Sequence, residues 1–164
     1  MIGVPHYNQI GQTGLELQWT TDNTLWKAEG FSRSGHGKRF YAAVGGFEHT
    51  LYGVADSPMD VGLLFEYLSD NRDPRFAPAS AAQNDLFAGL RFVLNDIQDS
   101  TALFGASIDL QSHATFVVIE AERRLTDQLK AQLTGRFFVN VPDAVPLSFV
   151  RSDDYVELSL DWFF

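Results

Sequence analysis

Charged residues recur at alternate positions along this chain, as in Lys27 and Glu29, Glu120 and Glu122, or Glu157 and Asp161. In extended backbone such spacing puts both side chains on one side, where they can pair with charges on neighbouring strands or form an acidic wall that favours cations. Nucleophilic chemistry has fewer candidates. His6, His36, His49 and His113 are scattered, and only Ser34 with His36 and Ser112 with His113 bring a hydroxyl near a base. Residues that close on a strand point in opposite or unsuitable directions, and no third orienting group is evident, so no catalytic residue is expected. Asp70 and Asp73 in "SDNRDPR" could approach a calcium ion, but the glycine and terminal glutamate of a calcium loop are missing. Neither metal nor cofactor is expected, and the chain has no cysteine for thiolate chemistry.

The elements that carry these residues read as strands. The C-terminal stretch "DDYVELSLDWFF" alternates throughout: Val156, Leu158, Leu160, Trp162 and Phe164 share one face, and Tyr155, Glu157, Ser159, Asp161 and Phe163 the other. The same period appears in "GLELQWTTD" (14–22), "TLWKAEGF" (24–31), "RFYAAVGGFEHTLY" (39–52), "DVGLLFEYL" (60–68) and "DLFAGLRFVL" (85–94). It continues in "TALFGASIDLQ" (101–111), "ATFVVIEAERRL" (114–125) and "QLKAQLTGRFFVNV" (128–141). "AERRLTDQLKAQL" could also satisfy helical spacing, but Asp127 is a turn residue and a β-branched run precedes it, which predicts two strands. The fold class is all-β, an antiparallel up-and-down meander of about 8–10 strands in a single domain over residues 1–164.

A net charge of −9 removes the basic surface that nucleic acid requires. No export signal is legible in "MIGVPHYNQIGQTG", and no apolar run reaches the ~18 residues of a membrane helix, although barrels cross membranes with much weaker signals per segment. The two longest connections fall where an outer-membrane barrel with a periplasmic C-terminus would place its external loops. "SDNRDPRFAPASAAQN" (69–84) and "PDAVPLSFVRSDD" (142–154) fall outside, as does the short "SHAT", while Asp22-Asn23, "NDIQDS" and "LTDQ" fall inside. About nine strands make an odd count, so at least one more is expected. Either "VPHYNQI" supplies a stub of it or the chain is the C-terminal portion of a longer barrel.

The terminal strand, ending on Phe164 with apolar residues at alternate positions back to Val156, resembles the C-terminal signature strand of Gram-negative outer-membrane barrels. "YNQIGQTGLELQW", "LWKAEGFSRSG", "GGFEHTLYG", "GLLFEYLSD" and "QNDLFAGLRFVLNDIQD" likewise resemble C-terminal stretches of porin-like proteobacterial outer-membrane proteins without an assigned activity. The resemblance implies a transmembrane β-barrel in the bacterial outer membrane, with lipid and, through Val156 to Phe164, the barrel-assembly machinery as partners. It supplies no catalytic motif.

A soluble lipocalin-like or fatty-acid-binding-like barrel carrying an apolar ligand would show the same alternation with its apolar face inward. The placing of Trp19, Trp26, Tyr41, Phe47, Tyr67, Phe137 and Trp162 on the apolar face, many near strand ends, favours interfacial girdles instead. On that reading the lumen is lined by Glu16, Lys27, Glu29, Glu48, Glu66, Arg91, Asp109, Glu120, Glu122, Lys130, Arg136, Glu157 and Asp161. The expected function is structural, or passive porin-like permeation of small solutes through an acidic lumen. An outer-membrane lipid hydrolase is a further alternative, since such enzymes place His, Ser or Asp at the outer rim.

Overall fold

The computed structural model describes residues 7–80 and 82–164; His6 and the start of "VPHYNQI" lie outside them, and Tyr7 to Ile10 form no strand. Nine strands follow in chain order: β1 (Gly11–Thr20), β2 (Thr24–Ser34), β3 (Phe40–Leu51), β4 (Asp60–Asp70), β5 (Asn84–Val93), β6 (Thr101–Asp109), β7 (Thr115–Thr126), β8 (Leu129–Val139) and β9 (Tyr155–Trp162). Each pairs antiparallel with the next in one open sheet, so local hairpin contacts generate the entire topology. Among the described residues the connections hold two short 3₁₀ turns, Val54–Asp56 and Pro146–Val150. Asn95, Asp99, His113 and Asn140 adopt the left-handed backbone at turns, a conformation that Asn and Asp tolerate best. The segment that could have been helical is the β7–β8 hairpin, with a register irregularity between Arg124 and Thr126. No helix among the described residues is long and apolar enough to cross a membrane, which says nothing of crossing by strands.

Register carries the alternating apolar stripes of successive strands onto one continuous face. Trp19 faces Trp26, which faces Phe47, then Phe65, Ala88, Ala106, Val117 and Phe137. Leu129, Ala131 and Leu133 pair with Trp162, Leu160 and Leu158 to bring in β9. Aromatic contacts knit this face: the Trp26 and Phe47 ring centroids are 5.3 Å apart, and Phe47 stacks on Phe65 at 5.8 Å.

These cross-strand rows are oblique to the sheet's ends. Thr20, the last residue of β1, leads row by row through Leu25, Glu48, Leu64, Gly89, Gly105, Val118 and Arg136 to Tyr155, the first residue of β9. β1 and β9 run in the same direction, so the register has slipped by nearly a full strand length. A stagger of this kind tilts strands in a closing barrel.

Burial is inverted relative to a soluble domain. In β3 to β5 the exposed positions are Tyr41, Ala43, Gly45, Leu51, Phe65, Tyr67, Ser69, Ala88 and Leu90, all on the apolar face, while Glu48, Glu66 and Arg91 opposite are part-shielded. Trp19 is 69% and Leu158 is 70% exposed, and buried apolar side chains among the described residues are limited to Phe40, Val61, Ala77 and Ala114. In the central strands the polar face is thus the more shielded of the two, whereas Glu16, Lys27, Glu29 and Glu157 in the outer strands are exposed.

Adjacent glycines in β3 give a sharp contrast. A Cβ at Gly46, on the polar face, would come 2.2 Å from the Phe65 carbonyl oxygen, whereas at Gly45, on the apolar face, the nearest atom is the Lys27 carbonyl oxygen at 3.9 Å. Gly46→Ala is expected to lower stability by about 2–3 kcal/mol through forced backbone movement, and Gly45→Ala by less than ~1 kcal/mol. Urea midpoints of the two refolded variants would check this; equal midpoints would contradict the close β3–β4 approach.

Candidate functional site

The polar face is where charges of distant sequence meet. The ends joined by the β2–β3, β4–β5, β6–β7 and β8–β9 connections are termed the loop end, and the opposite ends the turn end. Glu48 of β3 reaches across β4 to Arg91 of β5, Oε1 to Nη1 at 2.5 Å. The residue between them is Gly62, whose missing side chain leaves room: a Cβ there would lie 3.4 Å from both Arg91 Cβ and Glu48 Oε1. Glu120 pairs with Arg136 at 2.6 Å and Glu122 with Lys130 at 2.7 Å between β7 and β8. Asp161 of β9 accepts from Gln132 Nε2 at 2.9 Å, and the Ser159 hydroxyl donates to Glu157 at 3.0 Å. A cleft of about 420 Å³ lies along this row, bordered by Arg91, Glu120, Glu122, Gln132 and Thr134.

The β1–β4 side of the face is different. Glu16 sits directly opposite Glu29, an unfavourable like-charge pair, and Gln18 opposite Lys27. Glu66 packs its side chain over Gly46. Among the described residues, Glu16, Glu29, Glu66 and Lys27 form no ion pair, and they border a second cleft of about 230 Å³. Twelve of the thirteen charged positions expected to share a surface thus line the face; Asp109 lies at its loop end, where it accepts from the backbone N–H groups of Gln111 and Ser112 at 2.7 and 2.8 Å.

Toward the loop end the same face turns aromatic, which sequence reasoning missed. Phe31 and Phe40 meet edge-on at 6.0 Å, and Phe116 and Phe138 at 5.1 Å. Phe87 lies over the paired Gly89 and Gly105, with ring carbons 3.1 and 2.6 Å from where their Cβ atoms would stand. Parity counted along the full strands would have put these rings opposite the apolar stripe. The β4–β5 connection folds back over them: Arg72 bonds Asp70, donates to the Pro78 carbonyl at 3.2 Å, and sits 5.1 Å from the Phe40 ring centroid. Phe40 is 2% exposed in consequence.

The remaining candidates are occupied by local structure. Asp73 is bound by Arg75, whose guanidinium and backbone N–H hold its carboxyl down to about 2. Asp70 is bound by Arg72. Among the described residues no three potential metal ligands come together. Ser34 donates to the Gly11 carbonyl at 3.4 Å and accepts from Arg39, not from His36. The Ser112 hydroxyl accepts from the Ala114 N–H at 3.2 Å, away from His113. His49 Nδ1 is 2.8 Å from Thr24 Oγ1 across β2 and β3 at the turn end. At the β5–β6 turn, Asp96 accepts from both the backbone N–H and the hydroxyl of Ser100, and the backbone bond is the main cause of its lowered carboxyl pKa.

Removing one member of the long-range pair tests how firmly this face is tied. Arg91→Ala leaves Glu48, only 17% exposed in its side chain, without its partner. Partial exposure of Arg91 discounts the loss to about 1–2 kcal/mol. Arg91→Ala/Glu48→Ala should recover part of it, and an additive double mutant would mean that the pair is not coupled.

Comparison of the chain with protein-family models, with curated proteins and with solved structures finds no match.

Proposed function

We propose that this chain forms the wall of a transmembrane β-barrel in the bacterial outer membrane, with a structural role or passive permeation of small solutes along its acidic polar face. The single observation that carries the reading is the inverted burial of the central strands: in β3 to β5 the apolar face is exposed, while Glu48, Glu66 and Arg91 on the polar face are part-shielded and Glu48 is paired with Arg91. A soluble carrier barrel needs the opposite curvature, with the apolar side chains inside. Lipid supplies the missing apolar surroundings for residues such as Leu158 and Trp162. The turn end then faces the periplasm and the loop end the outside.

Closure requires strands beyond these nine. β1 and β9 run the same way, so direct pairing between them would be parallel, whereas an odd number of additional strands leaves every pair antiparallel. On the lumen side, Glu48, Glu120 and Glu122 are neutralised by Arg91, Arg136 and Lys130, whereas among the described residues Glu16, Glu29 and Glu66 of β1–β4 and Glu157 and Asp161 of β9 form no ion pair. A conducting barrel is therefore expected to prefer cations, and replacing Glu16, Glu29 and Glu66 together by Gln should weaken that preference. Reversal potentials in planar bilayers under a salt gradient measure it directly. Absence of conductance would leave a structural barrel closed by its side-chain network.

Topology has its own test. Single cysteines in this cysteine-free chain at Phe76, in the β4–β5 connection, and at Asp127, in the β7–β8 turn, should differ in labelling by an impermeant reagent on intact cells. Position 76 is expected to react and position 127 to stay protected; the reverse would invert the orientation.

A further inference from the structure

The apolar face of β1–β4 bears a groove that solute passage does not use. Leu17 of β1, Tyr41 of β3 and Tyr67 of β4 stand around a floor of Ala28, Ala43 and Gly45, leaving about 640 Å³ open. Its walls are uncovered by the rest of the chain, Leu17 being 59% and Tyr41 57% exposed. Ser32 closes the groove at the loop end. There Arg39 lays its guanidinium across the strand, donating to Ser32 Oγ at 2.8 Å and to Ser34 Oγ at 3.4 Å. Both serines alternate with Gly30 and so belong to the apolar side.

Arg39 is thereby fixed at the head of the groove with donors to spare and, among the described residues, no carboxylate partner. Lys38 beside it is exposed. The charge of Lys38 acts on Asp73, which Arg75 already binds. In a chain of net charge −9, an arginine without a carboxylate partner at the head of an apolar slot is a local exception. Strand from Ser32 down to Ala28 runs about 13 Å, close to the ~15 Å of one hydrocarbon leaflet.

A cationic head over an apolar slot one leaflet deep complements an anionic amphiphile. We propose that this groove binds an outer-leaflet lipid of the diphosphorylated lipid A class, its phosphate held by Arg39 and one acyl chain lying over Ala28, Ala43 and Gly45. This rests on the outer-membrane reading, because only that reading turns the loop end toward the outer leaflet. Selectivity comes from the phosphate, and the slot admits a straight saturated chain because its floor carries no side chain larger than a methyl group.

The experiment uses the protein purified from outer membranes, delipidated, and refolded into phosphatidylcholine vesicles containing diphosphorylated lipid A, dephosphorylated lipid A or phosphatidylglycerol. Native mass spectrometry after mild detergent release counts the lipids retained. The wild type should keep diphosphorylated lipid A in preference to the other two. Arg39→Glu should lower retention about tenfold by reversing the head charge. Gly45→Leu, whose Cβ has open space, should do the same by filling the slot while the heat-modifiable folded form persists. Equal retention by all three proteins, or of the dephosphorylated lipid by the wild type, overturns the proposal. So does a preference for phosphatidylglycerol, or a change of oligomeric state in Gly45→Leu with lipid retention unchanged, which would make the groove a contact between copies. A wild type that fails to insert sinks the outer-membrane reading along with this one; insertion without lipid retention sinks this one alone.

Discussion

Leu133→Arg is expected to block membrane insertion, while Gln132→Arg, one residue away, is expected to insert normally. Leu133 lies in the middle of β8, paired with Ala121 and Leu158 on the apolar face and 37% exposed. A guanidinium there would meet hydrocarbon near the bilayer midplane at a cost of about 2–4 kcal/mol. Gln132 points the other way, donating to Asp161 at 2.9 Å, with Glu122 opposite it on β7. An arginine at that position gains two carboxylates within reach of its neighbours. Membrane fractionation with the heat-modifiable gel shift reads both variants. Equal insertion would remove the basis for a lipid-facing side, whatever the fate of the groove.

The second large effect is at Phe164. It stands beyond the last residue of β9 and is fully exposed, while the Phe163 N–H makes the final backbone bond to the Gln128 carbonyl at 2.8 Å. Its side chain therefore adds little to the finished fold, and Phe164→Ser should leave the unfolding midpoint within about 0.5 kcal/mol of the wild type. On the outer-membrane proposal, which makes the terminal aromatic a label read before folding, assembly in cells is expected to fall severalfold. Detergent refolding and cellular assembly of the same variant separate the two roles. A variant that assembles as well as the wild type would reduce Phe164 to an ordinary end residue and weaken the outer-membrane proposal.

The two predictions probe opposite kinds of information. Leu133 and Gln132 could be told apart from sequence because side-chain direction in a strand alternates with period two, a local property that "QLKAQL" displays without any partner. For the same reason the strands themselves were legible: Asp22-Asn23, Asp127 and the other turn residues divide the chain close to the observed boundaries. β1 nevertheless starts at Gly11, ahead of the expected Gly14, because "GQT" lacks alternation and is held only by pairing with Ser32 to Ser34.

What the tertiary structure decided is everything that depends on register. Alternation names the two faces of a strand but cannot say which is shielded; the assembled sheet leaves Tyr41 and Leu90 exposed opposite part-shielded Glu48 and Arg91, and the β4–β5 connection covers Phe40. Glu48 and Arg91 are separated by a whole strand and meet only because Gly62 falls between them. Arg39 reaches Ser32 and Ser34 because the β2–β3 hairpin returns it to their face, which no spacing rule foretells for a residue outside a strand. The sequence by itself determined the strands, their faces and their order, since these follow from neighbours in the chain. The oblique stagger, the ion pairs across strands and the groove under Arg39 follow from contacts distant in sequence, whose partners are chosen only when the sheet assembles.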